Sequence, residues 1–503
     1  MKNHSQCKEG LLYNNFSLIY LQTFIAHKTN ISANEFIEPV TEGCIDEQLF
    51  TRDTDVIKRY NLQGFDISVD IGRENPVHLE GRVAVMLTTF FDLTYELSYR
   101  IIVPNDGETR QFCQSSGAFN TDQLITLAAL IQKVEHWESD DKGIQRICGS
   151  VEKIEIRNMP LDADSNYKTD NSEVITSLEE VQRRYRNYFC HQCEDFQIED
   201  HHYVFLDIWE SLNHEGQLKD FPDMNEEDII EHIELHHKSE LVGLMSFYPE
   251  EWPFRMEHSF KDICGENIAI DTDDLVLANE NICVIFGTYG LRGEDAPTDW
   301  KRHLMRRNNY HVSWPEYLVI MEILLAKKFM INYVLNKYIN NSHLAVGGHI
   351  HSIIEQNAFL GIKLSKIILQ LDSFRYLRYM SHKHMFQATN RRLRIDEDEK
   401  QLDKIFSHID NSLNNANNMV QLKEANSSKY ILLFISFASL FGVLLAGDEV
   451  HVYSQLSESL GKNAAVLLII ITTLGIILGI LHIIFISIQT YRRQNKLKNN
   501  QDF

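Results

Sequence analysis

An α/β domain, then a long helical stalk, then a C-terminal two-helix transmembrane hairpin is the architecture this sequence predicts. Three observations carry that expectation. Two apolar stretches near the C-terminus, Tyr430–Ala446 and Ala464–Ile488, contain no Asp, Glu, Lys or Arg. A bilayer span needs about 20 such residues, which the second exceeds and the first approaches with help from its flanks. Next, the chain from Ile362 to Phe441 holds neither glycine nor proline, the two residues most costly inside a helix, and so reads as one continuous helix running into the first span. Finally, the region before residue 315 mixes strand-like and helix-like patterns and carries eight of the nine prolines, the ninth being Pro315 itself.

The elements follow in order. The segment from His78 to Asn105 (HLEGRVAVMLTTFFDLTYELSYRIIVPN) has the alternating, β-branched pattern of two strands. TDQLITLAALIQKVEHW reads as a helix opened by a Thr/Asp cap, and SLEEVQRRYRNYF as a second helix. DSNYKTDNSE, from Asp164, has the composition of a linker and places a division of the first domain near residue 170. ENICVIFGTYGLRG, from Glu280, reads as a buried strand ending in a glycine-rich turn. After Pro315, a favoured first residue of a helix, Glu316 to about Asn340 forms the first arm of a helical hairpin. The turn holding Gly347 and Gly348 folds it back on the stalk, whose stripe Leu402, Ile405, Ile409, Leu413, Ala416 and Val420 has helical spacing and has to be buried. The resulting organisation is 1–314 (α/β, sensor-like), 315–429 (hairpin and stalk), 430–446 (first span), 447–463 (outer loop), 464–488 (second span) and 489–503 (basic tail).

Flanking charge sets the orientation. Arg492, Arg493, Lys496 and Lys498 follow the second span, whereas the loop between the spans carries Asp448, Glu449 and Glu458 against Lys462. Positive charge stays on the cytoplasmic side, so both termini are expected in the cytoplasm and the protein in the inner, cytoplasmic membrane. No N-terminal stretch has the order of a signal peptide. The eight cysteines are irregularly spaced and form no disulfide framework. A formal charge of −23 argues against nucleic acid as a partner. No Walker loop, GxGxxG or GxSxG occurs, so no enzyme is expected. Cys190 and Cys193 form a CxxC near His201 and His202, and His232 and His236 lie one helical turn apart. Neither set completes the four ligands of a structural zinc, and the bland alternative for both is solvated surface.

In its order of parts the chain resembles the CorA family of divalent-cation transporters: a cytoplasmic α/β domain, a helical hairpin, a stalk continuing as the first span, a short outer loop, a second span and a basic tail. The resemblance implies a homopentamer whose first spans line a pore. That family carries Gly-Met-Asn at the outer end of the first span, where this chain has Ala446-Gly447-Asp448-Glu449. A CorA-like branch encoded beside type III CRISPR systems fits that departure. Resemblance to it implies an antiviral membrane effector opened by a nucleotide second messenger, an S-adenosylmethionine–AMP conjugate. A divalent-cation transporter and a non-conducting membrane-anchored scaffold stay open as alternatives, as does a divalent cation as ligand.

Two sets of residues follow as candidates. Arg292, Trp300, Lys301, Arg302, Arg306 and Arg307 form a basic, aromatic-flanked patch in an acidic chain, a composition suited to gripping phosphate and stacking on adenine. Arg183, Arg184 and Arg186 form a second basic cluster, for which pairing with neighbouring acids at subunit contacts is the plainer expectation. In the first span Ser436, Ser439 and Val443 share a face suited to a pore lining or a helix contact, with Asp448 and Glu449 at its mouth.

Overall fold

The computed structural model describes residues 10–27, 37–39, 57–72, 75–90, 94–103, 112–130, 151–159, 173–192, 194–199, 201–212, 226–247, 259–270, 274–287, 312, 314–344, 368, 371 and 377–408, and scattered positions from 411 to 471. The chain divides into two units, Met1–Ile405 and Phe406–Phe503.

The first unit is built on a mixed sheet of twelve strands among the described residues. They are β1 (Leu12–His27), β2 (Ile37–Pro39), β3 (Ile57–Ile71), β4 (Val77–Phe90), β5 (Thr94–Val103), β6 (Gln114–Ser115), β7 (Phe119–Asn120), β8 (Val151–Arg157), β9 (Glu194–Ile198), β10 (Tyr203–Leu212), β11 (Asp274–Ala278) and β12 (Ile282–Gly287). The main path runs β11-β12-β10-β1-β5-β4-β3-β2. Only β10 and β12 pair in parallel; the remaining pairs are antiparallel. The helices are α1 (Thr121–Ala129), α2 (Leu178–Gln192), α3 (Glu226–His236), α4 (Lys238–Ser246), α5 (Ser259–Ile263), α6 (Pro315–Leu344) and α7 (Met380–Arg392).

Strand β1 lies between β5 and β10, so it ties the chain on both sides of residue 170 into one sheet. It and β5 are buried on both faces, polar residues such as Thr23, Glu96 and Arg100 included. On one face Phe16, Leu18, Tyr20 and Phe24 of β1 and Tyr95, Leu97, Tyr99 and Ile101 of β5 pack with α1, α2 and α4 into the main core. The opposite face lies under α6, which contacts β1 and β5. From Tyr317 to Lys327 every residue of α6 is buried, the mark of a helix inside a core rather than on a surface.

The two strands expected after His78 are β4 and β5, and the strand expected after Glu280 is β12. Helix α1 is capped one residue before the expected Thr/Asp pair: the Asn120 side chain accepts from the Gln123 backbone, and the Gln123 side chain accepts from the Asn120 backbone at 2.9 Å. Asn at this position satisfies an amide that no helical carbonyl can reach.

Two glycines are fixed by close approach. β3 carries an irregularity between Leu62 and Phe65, and a Cβ on Gly64 there would lie 2.0 Å from the Val83 carbonyl oxygen. Gly81 has φ +144°, and its Cβ would meet the Phe112 carbonyl oxygen at 2.4 Å.

The expectation of one unbroken helix from Ile362 to Phe441 is corrected. The chain is non-helical from Leu377 to Tyr379, α7 ends at Arg392, and Leu393–Arg394 form a turn with Arg394 at φ 57° before residues 395–405 resume a helix. The cause is burial. Leu393 and Ile395 are both fully buried, yet residues two apart point to nearly opposite sides of a straight helix, at about 100° per residue. A bend lets both enter the core, and an ion pair between Arg394 and Glu280 at 2.9 Å accompanies the left-handed residue. A lack of glycine and proline removes one reason to break a helix; packing supplied another.

In the second unit the described residues are helical at 406–408, 411, 429, 431–433, 435, 436, 439, 457–459, 463, 467 and 471. Among the described residues no helix is long and apolar enough to cross a membrane. Most of 430–446 and 464–488 falls outside them.

Candidate functional site

Among the described residues, the densest group of buried charge lies where α6 crosses the sheet. Arg59 on β3 stands opposite Thr88 on β4, Thr88 opposite Glu96 on β5, and Glu96 opposite Thr23 on β1, so the four form one row across the strands. Ser98 and Arg100 follow Glu96 on the same face of β5, because side chains alternate along a strand. Glu322 of α6 comes down on this row. Its carboxylate takes a two-pronged contact from Arg59, with Nη1 to Oε1 at 3.0 Å and Nη2 to Oε2 at 2.6 Å, while Arg100 Nη2 lies 3.6 Å from Oε1. Arg59 Nη1 also donates to Thr88 Oγ1 at 3.0 Å, and Arg100 Nε to Ser98 Oγ at 3.1 Å.

All four charged residues are buried: Glu96, Arg100 and Glu322 show 0 % exposure and Arg59 4 %. Neither oxygen of Glu96 has a hydrogen-bond partner. Burial raises its pKa well above the carboxylate range and the neighbouring Glu322 raises it further, against the opposing pull of Arg59 and Arg100. Burial and the neighbouring carboxylate therefore favour the protonated form of Glu96, beside the contact of Glu322 with Arg59. With no nucleophile–base pair among these groups, the arrangement fixes the depth and register of α6 on the sheet. Its strength depends on the proton held by Glu96.

Helix α6 is tied again about a turn and a half further along. Lys327 pairs with Glu399 at 2.8 Å, and Lys328 reaches Glu280, the partner of Arg394, at 3.7 Å. The same helix thus joins the sheet to residues 395–405.

A second buried carboxylate, Glu240 of α4, is fully served. It accepts from the Leu11 amide at 2.9 Å and from Thr121 Oγ1 at 2.7 Å, and it pairs with His237. This cluster fastens the start of β1 to α1 and α4. His202, 4 % exposed, is hydrogen-bonded to Gln182 at 2.8 Å. Burial drives its pKa down to about 3, with a smaller push from His201, so its ring is neutral.

Of the residues singled out from sequence, Arg292, Trp300, Lys301, Arg302, Arg306 and Arg307 lie outside the described residues, as do Val443, Asp448 and Glu449. Ser436 and Ser439 are helical and exposed. Arg183 pairs with Glu180 at 2.6 Å, and Arg184 with Glu173 at 2.8 Å and Glu180 at 3.1 Å. These two arginines pair with acids of the same chain. Cys190 is an exposed free thiol at the end of α2, Cys193 lies outside the described residues, and among the described residues no cluster of metal-binding side chains occurs.

With this geometry in hand, the chain was compared with known proteins: no family model, curated protein or solved structure matches it. The charge row on β3, β4 and β5 was not legible in the sequence, since Arg59 and Glu322 are 263 positions apart. The one local signal was Glu96-x-Ser98-x-Arg100, an alternation of polar residues inside an otherwise apolar strand.

Proposed function

We propose that this chain is a CorA-like membrane effector: two C-terminal spans assemble, as a homopentamer, into a pore, and the N-terminal α/β domain senses a nucleotide second messenger. The observation that carries the reading is the pair of apolar C-terminal stretches and the exposure of their side chains. Leu432, Leu433 and Ile435 in the first, and Leu467 and Ile471 in the second, are 48–63 % exposed in the isolated chain. Contiguous apolar side chains left in water need a cover, and lipid or further copies of the same helices supply one. The charge asymmetry of the flanks supports an N-in, C-in hairpin in the cytoplasmic membrane.

The basic patch from Arg292 to Arg307 is the proposed nucleotide site, and Ser436, Ser439 and Val443 the proposed pore face. Asp448 and Glu449 form a ring of acids at its mouth. Helix α6 is suited to carry a change from the sheet toward the C-terminal part, because ion pairs fasten it to both the strands and residues 395–405.

Fractionation tests the membrane placement first. The chain should stay with the bilayer after alkaline carbonate washing, and a cysteine at Ser454 should react with an impermeant maleimide from the periplasmic side. Recovery in the wash refutes the spans. For gating, the full chain in liposomes should release cations only on addition of the S-adenosylmethionine–AMP conjugate, and Arg306→Ala with Arg307→Ala should abolish that response. Release that is independent of nucleotide refutes the sensor reading.

A further inference from the structure

A polar cavity of about 410 Å³ opens between α6 and the bend that follows α7. Its lining includes Lys327, Phe386, Asn390, Arg391, Asp396 and Glu399. Two cations and two carboxylates face the same space, so their formal charges cancel. A ligand bearing several phosphates would bring charge that this lining does not balance; an electroneutral ligand brings none.

The lining is not uniform. Asn390, 9 % exposed, donates its Nδ2 to Asp396, while its Oδ1 has no partner. Reversing the amide would set Oδ1 against the Asp396 carboxylate, so the observed orientation is the favourable one. It leaves a buried acceptor beside a carboxylate, and a buried acceptor without a donor is costly. An ammonium group satisfies both. Arg391 stands exposed at the rim and bonds only weakly to the Gln387 carbonyl, at 3.4 Å. Among the described residues no carboxylate pairs with it, so its guanidinium is available to a ligand carboxylate. Lys327 is already neutralised by Glu399 at 2.8 Å. Phe386, 2 % exposed, gives the cavity its apolar wall.

We propose that this cavity binds a small zwitterion of the α-amino-acid type, its ammonium group on Asn390 Oδ1 and Asp396, its carboxylate on Arg391 and its side chain along Phe386. The cavity shares no residue with the proposed nucleotide patch, and its ligand does not depend on the membrane reading. A ligand there would join α6 to the segment after α7 and so bear on the contact between them.

The test uses the full chain in detergent with the twenty common amino acids as probes, each at 10 mM, followed by thermal unfolding and then calorimetric titration of the strongest. At least one amino acid with an uncharged side chain should raise the unfolding temperature and bind saturably. Acetate and methylamine, which carry one half of the zwitterion each, should not. Arg391→Met, an exposed substitution, should weaken the binding about tenfold or more while unfolding at the unliganded wild-type temperature, because one charge-assisted contact is lost. The proposal is overturned if no amino acid binds, if acetate or methylamine binds as well as the best amino acid, or if Arg391→Met binds with wild-type affinity.

Discussion

Replacing Glu322 with Gln should expose how the sheet holds α6. The substitution keeps volume and removes one charge from a site where Arg59, Arg100 and Glu322 are 0–4 % exposed. It leaves two buried guanidinium groups without the carboxylate that meets them at 2.6 and 3.6 Å. Breaking a buried pair in this way costs about 3–5 kcal/mol, well above the roughly 0–1 kcal/mol of a surface pair. A second carboxylate is at hand, however. Glu322 is one of the causes that hold the Glu96 pKa up, so its loss lowers that pKa and lets Glu96 ionise between the same arginines. The cost should therefore be largest at acid pH and partly relieved as pH rises. The sign for wild type is opposite: a carboxyl whose folded pKa is raised contributes its full stability below about pH 4.5 and loses it as pH climbs through the folded value. Urea unfolding of the full chain in detergent, followed by the fluorescence of Trp314 at the start of α6, measures this in wild type, Glu322→Gln, Glu96→Gln and the double variant. The double variant should lack the relief seen at high pH, giving strong coupling between the two sites. Additive effects, or a Glu322→Gln cost under about 1 kcal/mol, would refute the proposed sharing of charge.

Three further outcomes follow from other parts of the molecule. His202 has a depressed pKa near 3, so its contribution is complete above its unfolded value and declines as pH falls from there toward 3, by about 1.4 kcal/mol per pH unit. His202→Gln should flatten the acid limb of the stability profile, and an unchanged slope would contradict a neutral buried ring. Gly81→Ala should destabilise by about 1–3 kcal/mol, since it adds a side chain at φ +144° against the Phe112 carbonyl; unaltered urea midpoints would show that the backbone at Phe112 yields. Replacing Asp448 with Asn and Glu449 with Gln should lower cation flux through liposomes and leave the oligomer intact on size-exclusion chromatography, whereas undiminished flux would take these acids out of the pore mouth.

The parts legible in the sequence were those whose signal is local. β4, β5 and β12 announced themselves by apolar alternation and β-branching, and α6 by Pro315 followed by a long apolar run. β1 did not, because LYNNFSLIYLQTFIAH keeps no strict apolar–polar alternation and its short apolar runs suit a buried strand and a buried helix alike. The bend at Leu393–Arg394 was hidden for a different reason. Neither residue is a helix breaker by itself, and the break follows from burying Leu393 and Ile395 together, a tertiary demand that no window of sequence displays. The charge row under α6 belongs to the same class: three strands and a helix must assemble before Arg59, Glu96, Arg100 and Glu322 become neighbours.

Arg394 gives that bend a mechanical character. An unbroken helix would pass a twist along its length, whereas an elbow converts a push into a change of angle. This elbow is strapped: Arg394 grips Glu280, in the turn between β11 and β12, and Lys328 of α6 reaches for the same carboxylate. One acid outside the helical run thus touches both sides of the joint, an exposed strap worth about 0–1 kcal/mol. Its loss would leave every helix intact and slacken only the joint.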